Sequence, residues 1–167
     1  MGIARFLRHR WLDEGDARRM LGAGALERVE QRVRASEQRH SGEVRVCVEA
    51  GLPLGYLWKG LGAHARAVTL FGKLRIWDTE HNNGVLIYLL LADHAIEVVA
   101  DRGITRHVEP QRWQQIVGAM REDFRAGRFE EGLNAAIDAV DGLLVSHYPL
   151  APGQRNPNEL PDVPDLR

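Results

Sequence analysis

W-D-T-E-H-N-N-G-V-L-I-Y-L-L-L-A, from Trp77 to Ala92, joins a polar, carboxylate-rich loop to an unbroken apolar run, Val85 to Leu91. A run of that length without polar alternation reads as a strand buried on both faces of a sheet. Asn83-Gly84 marks its entry, because Asn and Gly tolerate the positive φ angles that a sharp turn needs. Beyond it, Ala92-Asp93-His94-Ala95 is a short polar break, and Ile96 to Ala100 is a second β-prone run. The pair therefore reads as an antiparallel hairpin turning at Asp93-His94. If the chain reverses there, Asp101-Arg102-Gly103 returns beside Asp78, Glu80, Asn82 and Asn83, in a loop that also carries His81. The oxygen donors of Asp78, Glu80, Asn83 and Asp101 then form a candidate site for a hard cation, calcium or magnesium, since no thiol or paired histidine accompanies them.

Upstream, Gly42 to Ala50 alternates Val44, Val46 and Val48 with Glu43, Arg45, Cys47 and Glu49, the period of a strand with one buried face, expected nearer a sheet edge. An amphipathic helix over residues 24–39 (Leu26, Val29, Val33) precedes it, and a helix with the stripe Leu61, Ala65, Val68, Phe71 and Leu74 follows. Strand, helix and buried strand make a βαβ unit with parallel strands. That arrangement brings Ser41, Gly42 and Glu43 toward the acidic loop, with Glu43 as a further possible ligand. Ligands in open α/β sheets more often sit at the carboxyl ends of strands, which here would favour Glu49, Gly51, Asp93 and His94. The sequence leaves the two ends open.

Two more helices close the domain. Glu109-Pro110 starts one with the stripe Trp113, Ile116, Val117, Met120 and Phe124, and Phe129, Leu133, Ala136, Ile137, Val140, Leu143 and Leu144 make the other. The expected organisation is an N-terminal arm (1–23), an α/β domain (24–150) and a Pro-rich extended tail (151–167) packed on the surface or mobile. The fold class is α/β, a three-layer α/β/α sandwich with a small mixed sheet. A formal charge of −1 on 167 residues gives no long-range attraction for nucleic acid. Cys47, the lone cysteine, can form no internal disulfide and reads as a small packed side chain. No run approaches the roughly 20 apolar residues of a membrane span, so no integral membrane segment and a cytoplasmic location are expected. Phe6, Leu7, Trp11 and Leu12, interleaved with Arg5, Arg8 and Arg10, either lie on a membrane surface or dock on their own domain. His40, His81, His94 and His107 fall in predicted turns.

In order, S-G-E-V-R-V, N-N-G-V-L-I-Y-L-L-L-A-D, A-D-R-G-I and F-R-A-G-R-F-E-E-G-L resemble the TPM domain family, from about Ser41 to Leu144. The resemblance implies an α/β/α sandwich, phosphatase activity of the kind ascribed to a plant thylakoid-lumen relative, divalent-metal binding, or service as a membrane-protein accessory factor. The W-D-T-E and A-D-R-G segments are similar to a cytoplasmic bacterial subgroup without signal peptide or trailing membrane helix. Where many relatives have G-Y-G-L-E, this chain has Asp101-Arg102-Gly103-Ile104-Thr105, so Thr105 stands in place of a glutamate. Two functions from different classes follow. One is a divalent-metal-dependent phosphatase acting on phosphate esters, with Asp78, Asp101, Arg102 and His81 in the chemistry and Asp78, Asn83, Asp101 and Glu80 on the metal. The other is a non-enzymatic, metal-stabilised interaction module with a protein partner.

Overall fold

The computed structural model describes residues 3–167; Met1 and Gly2, the start of the expected arm, lie outside the described residues. The helices are α1 (Ile3–Trp11), α2 (Glu14–Leu21), α3 (Ala25–Glu37), α4 (Leu54–Trp58), α5 (Ala63–Lys73), α6 (Arg102–Thr105), α7 (Pro110–Arg125) and α8 (Phe129–His147). The strands are β1 (Glu43–Glu49), β2 (Gly84–Leu90), β3 (Ala95–Ala100) and β4 (Asp165–Leu166), in the spatial order β3-β2-β1-β4. β1 and β2 are parallel, as a βαβ unit requires, and β2 and β3 are antiparallel. The hairpin turns through a 3-10 turn at Leu91–Asp93, with His94 left-handed at φ 46°.

Side-chain parity splits the sheet between two cores. Val44, Val46, Val48, Val85, Ile87 and Leu89 face α3, α7 and α8. Cys47, Leu86, Tyr88 and Leu90 face α5, together with Leu52, Leu57, Ala67, Leu70 and Leu160. This is the three-layer α/β/α sandwich, and every residue of β2 is buried.

Three local expectations are corrected. β1 lies between β2 and the two-residue β4, and instead of one buried face it buries Glu43, Cys47 and Glu49 as well as its valines, with Arg45 half-buried. The reason is pairing: Glu49 meets Arg66 of α5, and a Glu43 oxygen accepts from the Leu160 N–H at 3.0 Å. Helix α5 is rotated from its expected phase, so that Arg66, Ala67 and Leu70 are buried while Val68 is 50% exposed. Arg66 sets that rotation by donating to both Glu49 oxygens at 2.6 to 3.1 Å, and Tyr88 donates to Glu49 at 2.6 Å. The positive φ near the entry of β2 falls on Asn82 (φ 52°), whereas Gly84 is needed because a Cβ there would run into the Ile76 carbonyl oxygen.

The terminal segments of the described residues are both tied down. The tail pairs β4 with Cys47 and Val48 of β1, buries Leu160 and Asp162, and bonds through Asn156 to the carbonyls of His40 and Gly42 at 3.0 Å. The arm folds as α1 and α2. Asp13 and Asp16 form a reciprocal capping box at the start of α2, which satisfies two backbone N–H groups that a helix start otherwise leaves open.

Candidate functional site

The two ends of the sheet differ in whether their acidic groups have partners. At the carboxyl end of β1 and β2, Glu49 is held by Arg66 and Tyr88. Asp93 is held by Arg5 at 2.7 Å, Arg8 at 3.1 Å and His9 at 3.0 Å. Burial works against the Asp93 carboxylate, yet Arg5 and His9 keep its pKa below the usual range. Gly51 lies against the His9 carbonyl, and His94 stands edge-on to Phe129. These four positions are engaged in packing α1, α5 and α8 against the sheet.

At the opposite end the backbone convergence expected from the hairpin is present. Val85 opposes Ala100, the Asp101 N–H donates to the Gly84 carbonyl at 2.9 Å, and the Gly103 N–H donates to the Asn82 carbonyl at 2.9 Å. The approach is close enough that a Cβ at Gly103 would strike the carbonyl oxygens of His81 and Asn82. Asp101 caps the single turn of α6, accepting from the Arg102 N–H at 2.6 Å through Oδ1. Its other oxygen, Oδ2, is buried without a hydrogen-bond partner among the described residues. The same holds for Asn83 Oδ1, whose amide nitrogen donates to the Ser41 carbonyl at 3.1 Å. Asp101 is 6% exposed and Asn83 is fully buried, so each oxygen has lost water without gaining a donor. Such a group calls for an ordered water or an ion.

The other expected ligands point elsewhere. Asp78 pairs with Arg75 at 2.6 Å on the surface. The Glu80 side chain is exposed, and its N–H donates to the Glu159 carboxylate at 3.2 Å. Glu43 is buried under the tail, one oxygen on the Leu160 N–H and the other without a partner; burial raises its pKa. Among the described residues no group of three or more His, Cys, Asp and Glu side chains is arranged to hold a metal ion. Two hard oxygens still fit magnesium or calcium, since magnesium is often held by one or two carboxylates with water or phosphate completing its shell.

Residues next in sequence to this pair line a cationic notch. A notch of about 180 Å³ is lined by His81, Asn82, Arg102, Gly103 and Arg106. A broader hollow of about 520 Å³ shares His81 and adds Ser41, Glu80, His147, Tyr148 and Arg155 among its walls. Tyr148 links them: burial raises its hydroxyl pKa, Arg106 opposes the rise and Asp101 adds to it. His107 stacks on His147 with centroids 5.3 Å apart. Arg106, Tyr148 and His147 were not anticipated. The four-residue spacing of Arg102 and Arg106, one helical turn, is a signal visible in sequence, whereas Tyr148 arrives only because α8 ends beside α6. His40, expected in a solvent-facing turn, is buried between Ser36 and the Gly42 carbonyl at 2.9 and 3.0 Å, and burial drives its pKa down to about 4.

A family model for the TPM domain, labelled TPM_phosphatase, matches residues 15–143. The chain belongs to the TPM domain family. The NMR structure of the BA42 protein from the psychrophilic bacterium Bizionia argentinensis is 26% identical to this TPM domain chain. That match covers 86% of this chain and 93% of that one, with a TM-score of 0.74. The N-terminal domain of a P. gingivalis protein shares the fold at 21% identity and a TM-score of 0.62, over 77% and 81% of the two chains. No curated protein matches. No helix among the described residues of the domain is long and apolar enough to cross a membrane.

Proposed function

We propose that this TPM domain hydrolyses phosphate esters with the help of a divalent cation, magnesium or calcium, at the Asp101 end of the sheet. The observation that carries the reading is the pair of buried, unpartnered oxygens on Asp101 and Asn83, set beside a notch lined by two arginines. Asp101 Oδ2 and Asn83 Oδ1 would hold the cation, which when bound supplies Lewis acidity toward the phosphoryl oxygens. Arg102 and Arg106, one helical turn apart, neutralise and orient the phosphate, with planar donor forks suited to its oxygens. Asp101 is kept in place by its bond to the Arg102 N–H, so ligand and phosphate clamp are set by the same turn. His81 lines both hollows, and in this reading it would give a proton to the departing oxygen. A thiol nucleophile has no part, because Cys47 is fully buried on the far core and burial pushes its pKa up.

One observation favours a second reading, a metal-stabilised interaction module without turnover: among the described residues no group of three or more His, Cys, Asp and Glu side chains is gathered at Asp101. Turnover of p-nitrophenyl phosphate with magnesium, manganese or calcium separates the two. Hydrolysis should fall about a hundredfold in Asp101→Asn and in Arg102→Ala. Turnover unchanged by both substitutions would remove the proposed site, and metal-dependent thermal stabilisation without turnover would support the module.

A further inference from the structure

The charge of this chain is unevenly spread. Neither Met1 to Leu12 nor Gly51 to Trp77 contains an Asp or Glu, yet Arg5, Arg8, Arg10, Lys59, Arg66, Lys73 and Arg75 fall within them, seven of the 22 basic residues against none of the 23 acidic ones. The fold places both segments on one layer. Phe6 of α1 packs into the core that holds Leu57 of α4, and the Leu52 N–H donates to His9 Nδ1 at 3.0 Å. The face of α1 that carries Arg5 and His9 is turned inward onto Asp93.

Arg5 and Arg8 pair with Asp93, Arg66 with Glu49 and Arg75 with Asp78, so what is left outside is apolar surface with the exposed cations Arg10, Lys59 and Lys73. Trp11 is 77% exposed and Trp58 is 78% exposed, with Leu7, Leu54 and Leu61 also in the open and Arg10 and Lys59 each next in sequence to a tryptophan. A hollow of about 380 Å³ on α1 is lined by Ala4, Leu7, Arg8, Trp11 and Leu12. Tryptophan flanked by leucine and by Lys or Arg matches the headgroup zone of a bilayer: the indole sits at the boundary and the cations meet the phosphates.

We infer that the rim formed by α1 and the α4 segment is a peripheral docking surface for an anionic phospholipid bilayer, entered by Trp11 and Trp58. It lies at the carboxyl end of the parallel strands, away from Asp101, so it stands or falls independently of the phosphate site. Charge complementarity selects the occupant. An uncharged apolar partner would gain nothing from Arg10, Lys59 and Lys73, which have no carboxylate partner among the described residues, whereas a phosphatidylglycerol surface pairs with them.

The test is co-sedimentation of the full chain with vesicles of phosphatidylglycerol and phosphatidylcholine, against phosphatidylcholine alone, at low and high salt. Wild type should partition roughly tenfold or more in favour of the anionic vesicles and lose that preference at high salt. Tryptophan emission should shift to the blue on binding. Trp11→Ser with Trp58→Ser should abolish binding, and so should Arg10→Glu with Lys59→Glu, which leaves the apolar groups intact should the first pair disturb folding. Protein that stays in solution with anionic vesicles at low salt overturns the inference, as does binding that both double variants retain. A dimer that Trp11→Ser with Trp58→Ser dissolves, without vesicle binding by the wild type, would show that a second copy covers the rim instead.

Discussion

Glu37 shows at the scale of one residue how burial sets chemistry in this domain. Its carboxyl is 5% exposed and accepts from the Val44 N–H at 2.8 Å. Burial pushes its pKa up to about 9, the Val44 N–H opposes that, and Glu43 and Asp162 add to it. The group is therefore a neutral acid in the fold and a carboxylate in the unfolded chain from its ordinary 4.5 upward. The stability it contributes is complete below that value and is lost as pH rises toward 9. Gln at this position imitates the neutral acid. Urea unfolding of Glu37→Gln should find it more stable than wild type at pH 8, on the order of 3 kcal/mol, with no difference at pH 4. Equal stability at pH 8 would mean that Glu37 is ionised in the fold. His40 acts in the other direction. Its pKa lies at about 4 in the fold, so wild-type stability should fall as pH drops from 6.5 toward 4, and unfolding midpoints across that window would show it.

Element by element, the fold depends on pairs that a hydrophobic pattern does not reveal. The spacing of Leu61, Ala65, Val68 and Phe71 announces a helix correctly but gives the wrong face, because the side chain that docks α5 is a charged one. Arg66 reaches Glu49 in the interior, where burial opposes its charge and Glu49 restores it. Arg66→Met should cost about 3–5 kcal/mol by leaving Glu49 buried without its counter-charge, seen as a lower Tm. Arg66→Met with Glu49→Leu should recover much of that loss. A melting temperature unchanged by Arg66→Met would mean that α5 is held by its apolar contacts alone. Turn α6 depends on close backbone approach. Gly103→Ala should cost about 1–3 kcal/mol, because its Cβ meets the His81 and Asn82 carbonyl oxygens, and it should weaken phosphate binding by shifting Arg102. Calorimetry with inorganic phosphate would measure that shift, and unaltered affinity would detach Arg102 from the site.

For the molecule as a whole, the central topology was legible because β2 is apolar throughout and Asp93-His94 is polar. These two facts give a buried strand and the reversal that brings residue 101 back to residue 84. The tail was not legible: β4 is two residues long in a stretch punctuated by Pro157, Pro161 and Pro164, and its pairing with β1 depends on Glu43, Arg45 and Asp162. Deleting residues 151–167 should therefore expose the outer edge of β1 and promote association, which light scattering would detect. A monodisperse truncated chain would reduce the tail to an ornament of the surface. Of the candidate site, Asn83, Asp101, Arg102 and His81 could be gathered from the hairpin alone. Arg106 is signalled by its four-residue spacing from Arg102, whereas Tyr148 belongs to it because the end of α8 lies against His107, just past α6, which no local pattern encodes.

The central claim is that function resides at the Asp101 end, where oxygens are buried without donors, and not at the Asp93 end, where every acidic group considered has a cation. The most direct measurement is a crystal structure of the full chain soaked in manganese and inorganic phosphate, with the ion located by its anomalous signal. It should lie on Asp101 Oδ2 and Asn83 Oδ1, with phosphate on Arg102 and Arg106. An ion on Asp93 or Glu49, or none at either end, would contradict the account.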